Sequence, residues 1–285
     1  VKKENVGILH PGQMGISIAA LAQNSGNEVF WASEGRSPET HERALEYHLH
    51  DCQSLAKLCQ TCSVILCVCP PHAAEDVANQ VASHHYQGLY VDANAISPQR
   101  ALRIGQKLAD RGILFVDGSI IGGPAWEPGR TWLYLSGECA ERAASCFSAG
   151  PLETKILGDA IGKASGIKMC FAAYTKGTTA LLSAILATAE SLSIRTELEA
   201  QWERYWPDFP EQTSQRIKNG ASKAWRFAGE MDEISATFEA AGQPGGFHAA
   251  AADLYRRLFQ FKDDTSLSLD MVVDTLLQAS QPTDD

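Results

Sequence analysis

The chain has 285 residues, with 24 Lys and Arg against 34 Asp and Glu and a formal charge of -10, a length that exceeds the usual single domain and leads us to expect two. The negative balance repels phosphate backbones and anionic membrane surfaces, which argues against nucleic acid and membrane partners but leaves room for a local cationic pocket around a small anion. No apolar run reads as a membrane span and the first residues enter a strand without signal-like regions, so a soluble, cytoplasmic protein is expected.

In chain order, residues 6–9 read as an apolar strand running into His10, Pro11, Gly12, Gln13, Met14 and Gly15, and then into an apolar helix from Ile16. A glycine turn between strand and helix aims free backbone N–H groups at an anion. Gly12 permits close approach of a pyrophosphate, Gly15 permits close packing of helix on strand, and the helix N-terminus adds partial positive charge. The expected ligand is a dinucleotide, although His10 stands where the Gly-x-Gly-x-x-Gly pattern has its first glycine. Gly26 closes the helix, and residues 28–33 read as the next strand, where the ribose contact falls. Glu34 is placed to bind the ribose 2′-hydroxyl of NAD, whereas Ser33, Arg36 and Ser37 are what a 2′-phosphate needs. NADP is expected, with NAD as the alternative, because Gly35 lets Glu34 point outward while Arg36 folds back.

Apolar strands at 64–69, 89–92, 114–117 and 132–135 alternate with helical patterns. Such alternation indicates βαβ units, hence an α/β fold whose residues 1–158 form a doubly wound, mostly parallel sheet of the Rossmann type. Of the eight cysteines, Cys59, Cys62, Cys67 and Cys69 make the tightest cluster. Because Cys67 and Cys69 read as part of a continuous apolar strand, where cysteine acts as a small hydrophobe, no metal is expected. Ligands gather beyond strand ends in such sheets, which makes Asn94 a candidate for the nicotinamide ribose or the substrate. Gly122 and Gly123 offer backbone N–H donors to a substrate carboxylate or phosphate, and Ser119 offers a hydroxyl. A plain glycine turn before Pro124 is the alternative.

After Gly158 the pattern changes. Residues 161–194 contain almost no helix breaker besides Gly166 and Gly177, so a long helix buried on several sides is expected. Further helical runs lie around 231–241 and 248–261, and the tail from Gln281 is expected to fray. Residues 159–285 therefore read as an all-α second domain entered through a long interdomain helix. Lys168, on the inner face of that helix, is desolvated, which lowers its pKa and lets it take a proton from a hydroxyl as hydride leaves the same carbon. A snorkelling lysine at a hinge is the alternative. Lys176, two turns further on nearly the same face, would attract an anionic substrate to the same cleft.

Three segments resemble the β-hydroxyacid dehydrogenases, which include the 6-phosphogluconate and 3-hydroxyisobutyrate enzymes. They are the turn ending in Met14 and Gly15, the strand end from Val116 to the pair Gly122 and Gly123, and the helix start from Gly162 to Lys168. Residues 168–177 and 246–257 further resemble a subgroup of phosphogluconate-dehydrogenase-like proteins with a distinctive C-terminal domain. The resemblance implies that Lys168 is the catalytic lysine and that Pro70 and Pro71, after Cys69, form a cofactor-facing loop. It also implies a homodimer with intertwined helical domains, which the long apolar helix favours independently. His248 and Arg256 are then candidates to reach the partner's site. Departures are Ala172 where the family has asparagine, Ile121 where serine is common, and Gly229 with Glu230 in place of a Lys-Asp pair. These losses point to a less polar substrate and leave Tyr174, Thr175, Ser119 and His248 as alternative sources of the missing hydrogen bonds. The expected activity is an NADP-dependent oxidation of a β-hydroxy acid or related secondary alcohol. Ketone or imine reduction on the same scaffold, and a non-catalytic NADP-binding module, are the alternatives.

Overall fold

A computed structural model describes residues 3–278, which places the tail from Gln281 outside the described residues. The chain forms two compact units, Val1–Met169 and Cys170–Asp285.

In the first unit β1 (Asn5–Ile8), β2 (Glu28–Trp31), β3 (His50–Asp51), β4 (Val64–Cys67), β5 (Leu89–Asp92), β6 (Leu114–Gly122), β7 (Thr131–Ser136) and β8 (Glu153–Ile156) build one sheet. Its order is β3-β2-β1-β4-β5-β6-β7-β8. Neighbours run parallel except for β6 and β7. The helices α1 (Gln13–Asn24), α2 (Pro38–Glu46), α3 (Leu55–Thr61), α4 (Ala74–Ser83), α5 (Pro98–Ala109) and α6 (Ala140–Ser145) connect the strands. Alternate strand residues serve opposite faces, as the pleat requires. Ile8, Val64, Leu66 and Val91 join one apolar layer, while Ile65, Cys67 and Tyr90 join the other.

This is the expected doubly wound sheet, with three differences. β3 and β8 have only exposed residues, so no apolar run announces them. β6 continues five residues beyond Asp117, because Ile120 and Ile121 pair with Leu133 and Trp132 of β7. β4 ends at Cys67, so Cys69 lies in the loop rather than the strand.

A helical run of 29 residues, Lys163–Ser191, follows the sheet. It consists of α7 (Lys163–Ala172), a π-turn at Ala173–Gly177 and α8 (Thr178–Ser191). Contrary to the expectation that no run approaches a membrane span, this one is long and apolar enough, with a mean hydropathy of 1.2 over its best window. Half of that window is buried inside the protein, as in the core helix of a globular domain. The units divide after Met169 rather than near Gly158 because the first turns of α7 are hydrogen-bonded to β6 and β7.

The second unit continues through α8, α9 (Arg195–Tyr205), α10 (Phe209–Ala221), α11 (Ala224–Ala240), α12 (Gly246–Arg257) and α13 (Leu269–Gln278). It is all-helical, as expected. α8 packs on α10, α12 and α13, burying Ala180, Leu182 and Leu186, while α11 and α12 pair across Met231, Ile234 and Ala252.

Candidate active site

The turn from β1 to α1 has the geometry of an anion cradle. Gly12 caps α1 without a side-chain hydrogen bond, and the first turn carries no acidic residue. The opening N–H groups, those of Gln13, Met14 and Gly15, have no acceptor within the helix. A Cβ on Gly12 would meet nothing within 4 Å among the described residues, whereas one on Gly15 would lie 2.1 Å from the His10 carbonyl oxygen. Gly12 therefore leaves space for a ligand, and Gly15 is required by the turn itself. Pro11 is buried and its carbonyl accepts from Arg43 Nε at 3.2 Å, Gln13 is exposed, and Met14 packs on the core. A dinucleotide phosphate fits these residues. The fit rests on uncapped N–H groups and open space together.

Beside the turn, at the carboxyl ends of β4 and β5, polar side chains crowd together. Arg36, in the loop after β2, is half-buried near Cys67 and Cys69, and Glu34 is exposed. Burial lowers the Arg36 guanidinium below its ordinary pKa, partly offset by the nearby Cys67 and Cys69 sulfurs. Its Nε is buried with no hydrogen-bond partner among the described residues. Ser33 lies half-buried at the same strand end. Asp92 is held well above the usual carboxylate range, chiefly because burial penalises its charge, with Cys67 and Asp117 adding repulsion.

Asn94 is turned into the protein. It is 3% exposed, its Oδ1 accepts from the Cys69 N–H, its Nδ2 reaches Cys67 Sγ at 3.5 Å, and its own N–H donates to Asp92 Oδ1 at 3.0 Å. It braces the loop after β4. Cys69 is half-buried, Pro70 exposed, and Pro71 buried with its carbonyl accepting from Arg100.

The start of α7 is clamped by β6. The Asp117 carboxylate accepts from Gly162 N (2.9 Å), Ser165 N (3.1 Å), Ser165 Oγ (2.6 Å) and Ser136 Oγ (3.0 Å). Burial raises its pKa above the ordinary value, while these four hydrogen bonds pull it back. Ser119 is fully buried and donates to the Ala164 carbonyl at 2.6 Å, so its hydroxyl holds α7 in place and is not available to a substrate. Lys168, half-buried one turn further along, donates from Nζ to the Ile120 carbonyl at 2.6 Å. Two residues on, Gly122 has φ +118°, and a Cβ there would lie 2.1 Å from the Arg130 carbonyl oxygen. Gly123 is exposed with nothing within 4 Å of its would-be Cβ among the described residues. Gly122 thus serves the hairpin, and Gly123 is the glycine that a ligand can approach.

The remaining candidates lie in the second unit. Lys176 is ion-paired with Glu230 and sits 4.7 Å from the Phe227 ring centroid, so a local carboxylate already balances its charge. This Glu230 stands where the resemblance put the acidic member of the replaced Lys-Asp pair. Thr175 donates its hydroxyl to the Phe171 carbonyl within its own helix. Thr175 and Lys176 line an open cavity of about 610 Å³ with Tyr174, Arg216, Lys223 and Phe227. His248 is buried between Phe238 and Phe247, and burial lowers its pKa.

Reading the sequence missed three positioning residues, Asp117 as an anchor, Ser136 and Ser165. A buried Asp in a strand followed by a Gly-x-x-Ser start of a distant helix is the signal that could have found them.

Comparison with known proteins follows the same lines. Residues 5–142 match the NAD binding domain of 6-phosphogluconate dehydrogenase, and residues 189–258 match a domain of unknown function, DUF1932. An uncharacterized 28.5 kDa protein of Methanothermus fervidus is 28% identical over 60% of this chain, and the match spans 65% of that relative's length. The L-threonate dehydrogenase of Cupriavidus necator is 27% identical over 81% of this chain and 75% of its own. Among solved structures, the conserved protein MTH1747 of unknown function, described as structurally similar to 3-hydroxyacid dehydrogenases, is 28% identical. It superposes with a TM-score of 0.65 over 90% of this chain and 98% of its own.

Proposed function

We propose that this chain, whose residues 5–142 match the NAD binding domain of 6-phosphogluconate dehydrogenase, is an oxidoreductase of the β-hydroxyacid dehydrogenase type that oxidises a β-hydroxy acid with Lys168 as proton relay. One observation carries this reading: the Lys168 amine is held 2.6 Å from the Ile120 carbonyl, two residues before the glycine pair at the end of β6. A nicotinamide dinucleotide, when bound, supplies the hydride acceptor. The N–H groups after Gly12 hold its phosphates, and Arg36, with an unpartnered buried Nε among the described residues, favours the 2′-phosphate of NADP over NAD. Gly123 lets a substrate carboxylate approach the backbone. Lys168, positioned by its hydrogen bond to the Ile120 carbonyl, is the group assigned to take the substrate hydroxyl proton while the carbinol C–H bond breaks and its hydride passes to the bound nicotinamide. The L-threonate relative acts, by its name, on a hydroxy acid, which supports that substrate class.

All eight cysteines are free, which suits the reducing cytoplasm. The second unit exposes Phe171, Tyr174, Leu181, Leu192 and Ile194, apolar surface that supports a homodimer through the helical half.

The experiment is a panel of hydroxy acids, ketones and amines assayed with NADP(H) and NAD(H). Lys168→Met is expected to lower turnover by about 10² or more while leaving dinucleotide binding intact. Arg36→Ala is expected to weaken NADP more than NAD in calorimetric titration. Near-normal turnover of Lys168→Met refutes the relay, and turnover that requires an amine assigns imine reduction instead.

A further inference from the structure

We propose that His10, Cys67 and Cys69 form a binding site for a soft divalent cation, Zn²⁺ first among them, at the carboxyl end of the sheet. The three donors come from the turn after β1, the last residue of β4 and the loop beyond it, and their ligand atoms all lie within 4.8 Å of one another. No other such group of His, Cys and acidic side chains occurs among the described residues.

The spacing is that of a metal site. Two thiolates each about 2.3 Å from a tetrahedral zinc stand roughly 3.8 Å apart. The Cys67 and Cys69 sulfurs are separated by 3.7 Å. A disulfide would instead require them to close to about 2.0 Å. His10 Nδ1 is buried with no hydrogen-bond partner among the described residues, an orphan donor site beside the sulfur pair.

The surroundings hold the donors in place. Asn94 holds both cysteines, accepting from the Cys69 N–H and reaching Cys67 Sγ, which is how a second layer of residues fixes ligands in place. The Arg36 guanidinium lies beside the two sulfurs. Two sulfurs and one imidazole select zinc over magnesium or calcium, whose preferred ligands are oxygens. Cys67 is fully buried, but His10 and Cys69 are partly exposed and provide the entry. With three protein ligands, the fourth position is left to water or an incoming group. His10 occupies the position where the dinucleotide turn has a glycine in its usual pattern, so the imidazole is an addition that this chain makes to the turn.

The test uses the reduced full-length protein without dinucleotide, so its outcome is independent of the function proposed above. Titration with Co²⁺ should produce a thiolate-to-cobalt charge-transfer band saturating at one equivalent, and Zn²⁺ should abolish it. Zinc affinity, measured by competition with a chromophoric chelator, should fall by at least about tenfold in Cys69→Ser and in His10→Ala, with folding checked by circular dichroism. Cys62→Ser, at a buried cysteine outside the group of three donors, should bind as the parent does. The proposal is overturned if the parent protein shows no charge-transfer band, if Cys69→Ser and His10→Ala bind zinc like the parent, or if Cys62→Ser is the substitution that removes binding.

Discussion

Replacing Asp117 by Asn tests whether β6 positions the start of α7 through charge. Oδ2 accepts from Ser136 Oγ, Gly162 N and Ser165 N, and Oδ1 accepts from Ser165 Oγ. The amide keeps one acceptor oxygen, which turns toward the three donors, while its NH₂ faces Ser165, whose hydroxyl can rotate to accept. What is lost is the charge. Hydrogen bonds to an ionised acceptor contribute about 1.5–3 kcal/mol, against about 1 for neutral pairs, so three weakened bonds cost about 1.5–6 kcal/mol. The helix N-terminus adds about 0.5 kcal/mol. Against this stands the relief from desolvating a charge, the largest cause of the raised Asp117 pKa, which offsets part of that loss. The net expectation is a loss of about 2 kcal/mol, concentrated at the start of α7. Because the chain has two units that need not unfold together, a local readout is preferable to a global melt. Amide hydrogen exchange across residues 162–168 should accelerate by about 30-fold, the equivalent of 2 kcal/mol at 25 °C. Unchanged protection there, with parent-like turnover, would refute the argument that the carboxylate fixes the helix bearing Lys168.

Two further outcomes follow from what is buried and what is exposed. The native Asp92 carboxyl retains a proton that the unfolded chain releases above about pH 3.8, so the folded state binds more protons and its stability falls as pH rises toward the native pKa. Asp92→Asn removes that slope, which is at most about 1.4 kcal/mol per pH unit, and urea unfolding should show the variant gaining on the parent from pH 4 to pH 8; parallel curves would contradict it. Sedimentation equilibrium at micromolar concentration should give twice the chain mass of 30.8 kDa. A monodisperse monomer would rule out association through the exposed apolar surface of the helical half, and Leu192→Glu should shift a dimer toward monomer.

Elements made by neighbouring residues were legible in the sequence. The glycine turn, the strands that bury alternate apolar side chains and the breaker-poor run into α8 each depend on periodicity or on a backbone conformation set within a few residues. Lys168 stood out for the same reason, a charge on the inner face of an apolar helical pattern. β3 and β8 escaped because polar edge strands have no apolar signature, and their pairing partners lie elsewhere in the chain. The fates of polar side chains were decided only by the tertiary structure. Ser119 and Asn94 were plausible ligand contacts until Ala164, Cys67 and Cys69 took their hydrogen bonds. Lys176 looked like a free cation until Glu230 met it from 54 residues away. His10 joined two cysteines that the sequence placed in a strand of their own. A hydrogen bond or ion pair depends on which distant groups the packed core brings within about 3 Å, and local sequence carries no record of that distance.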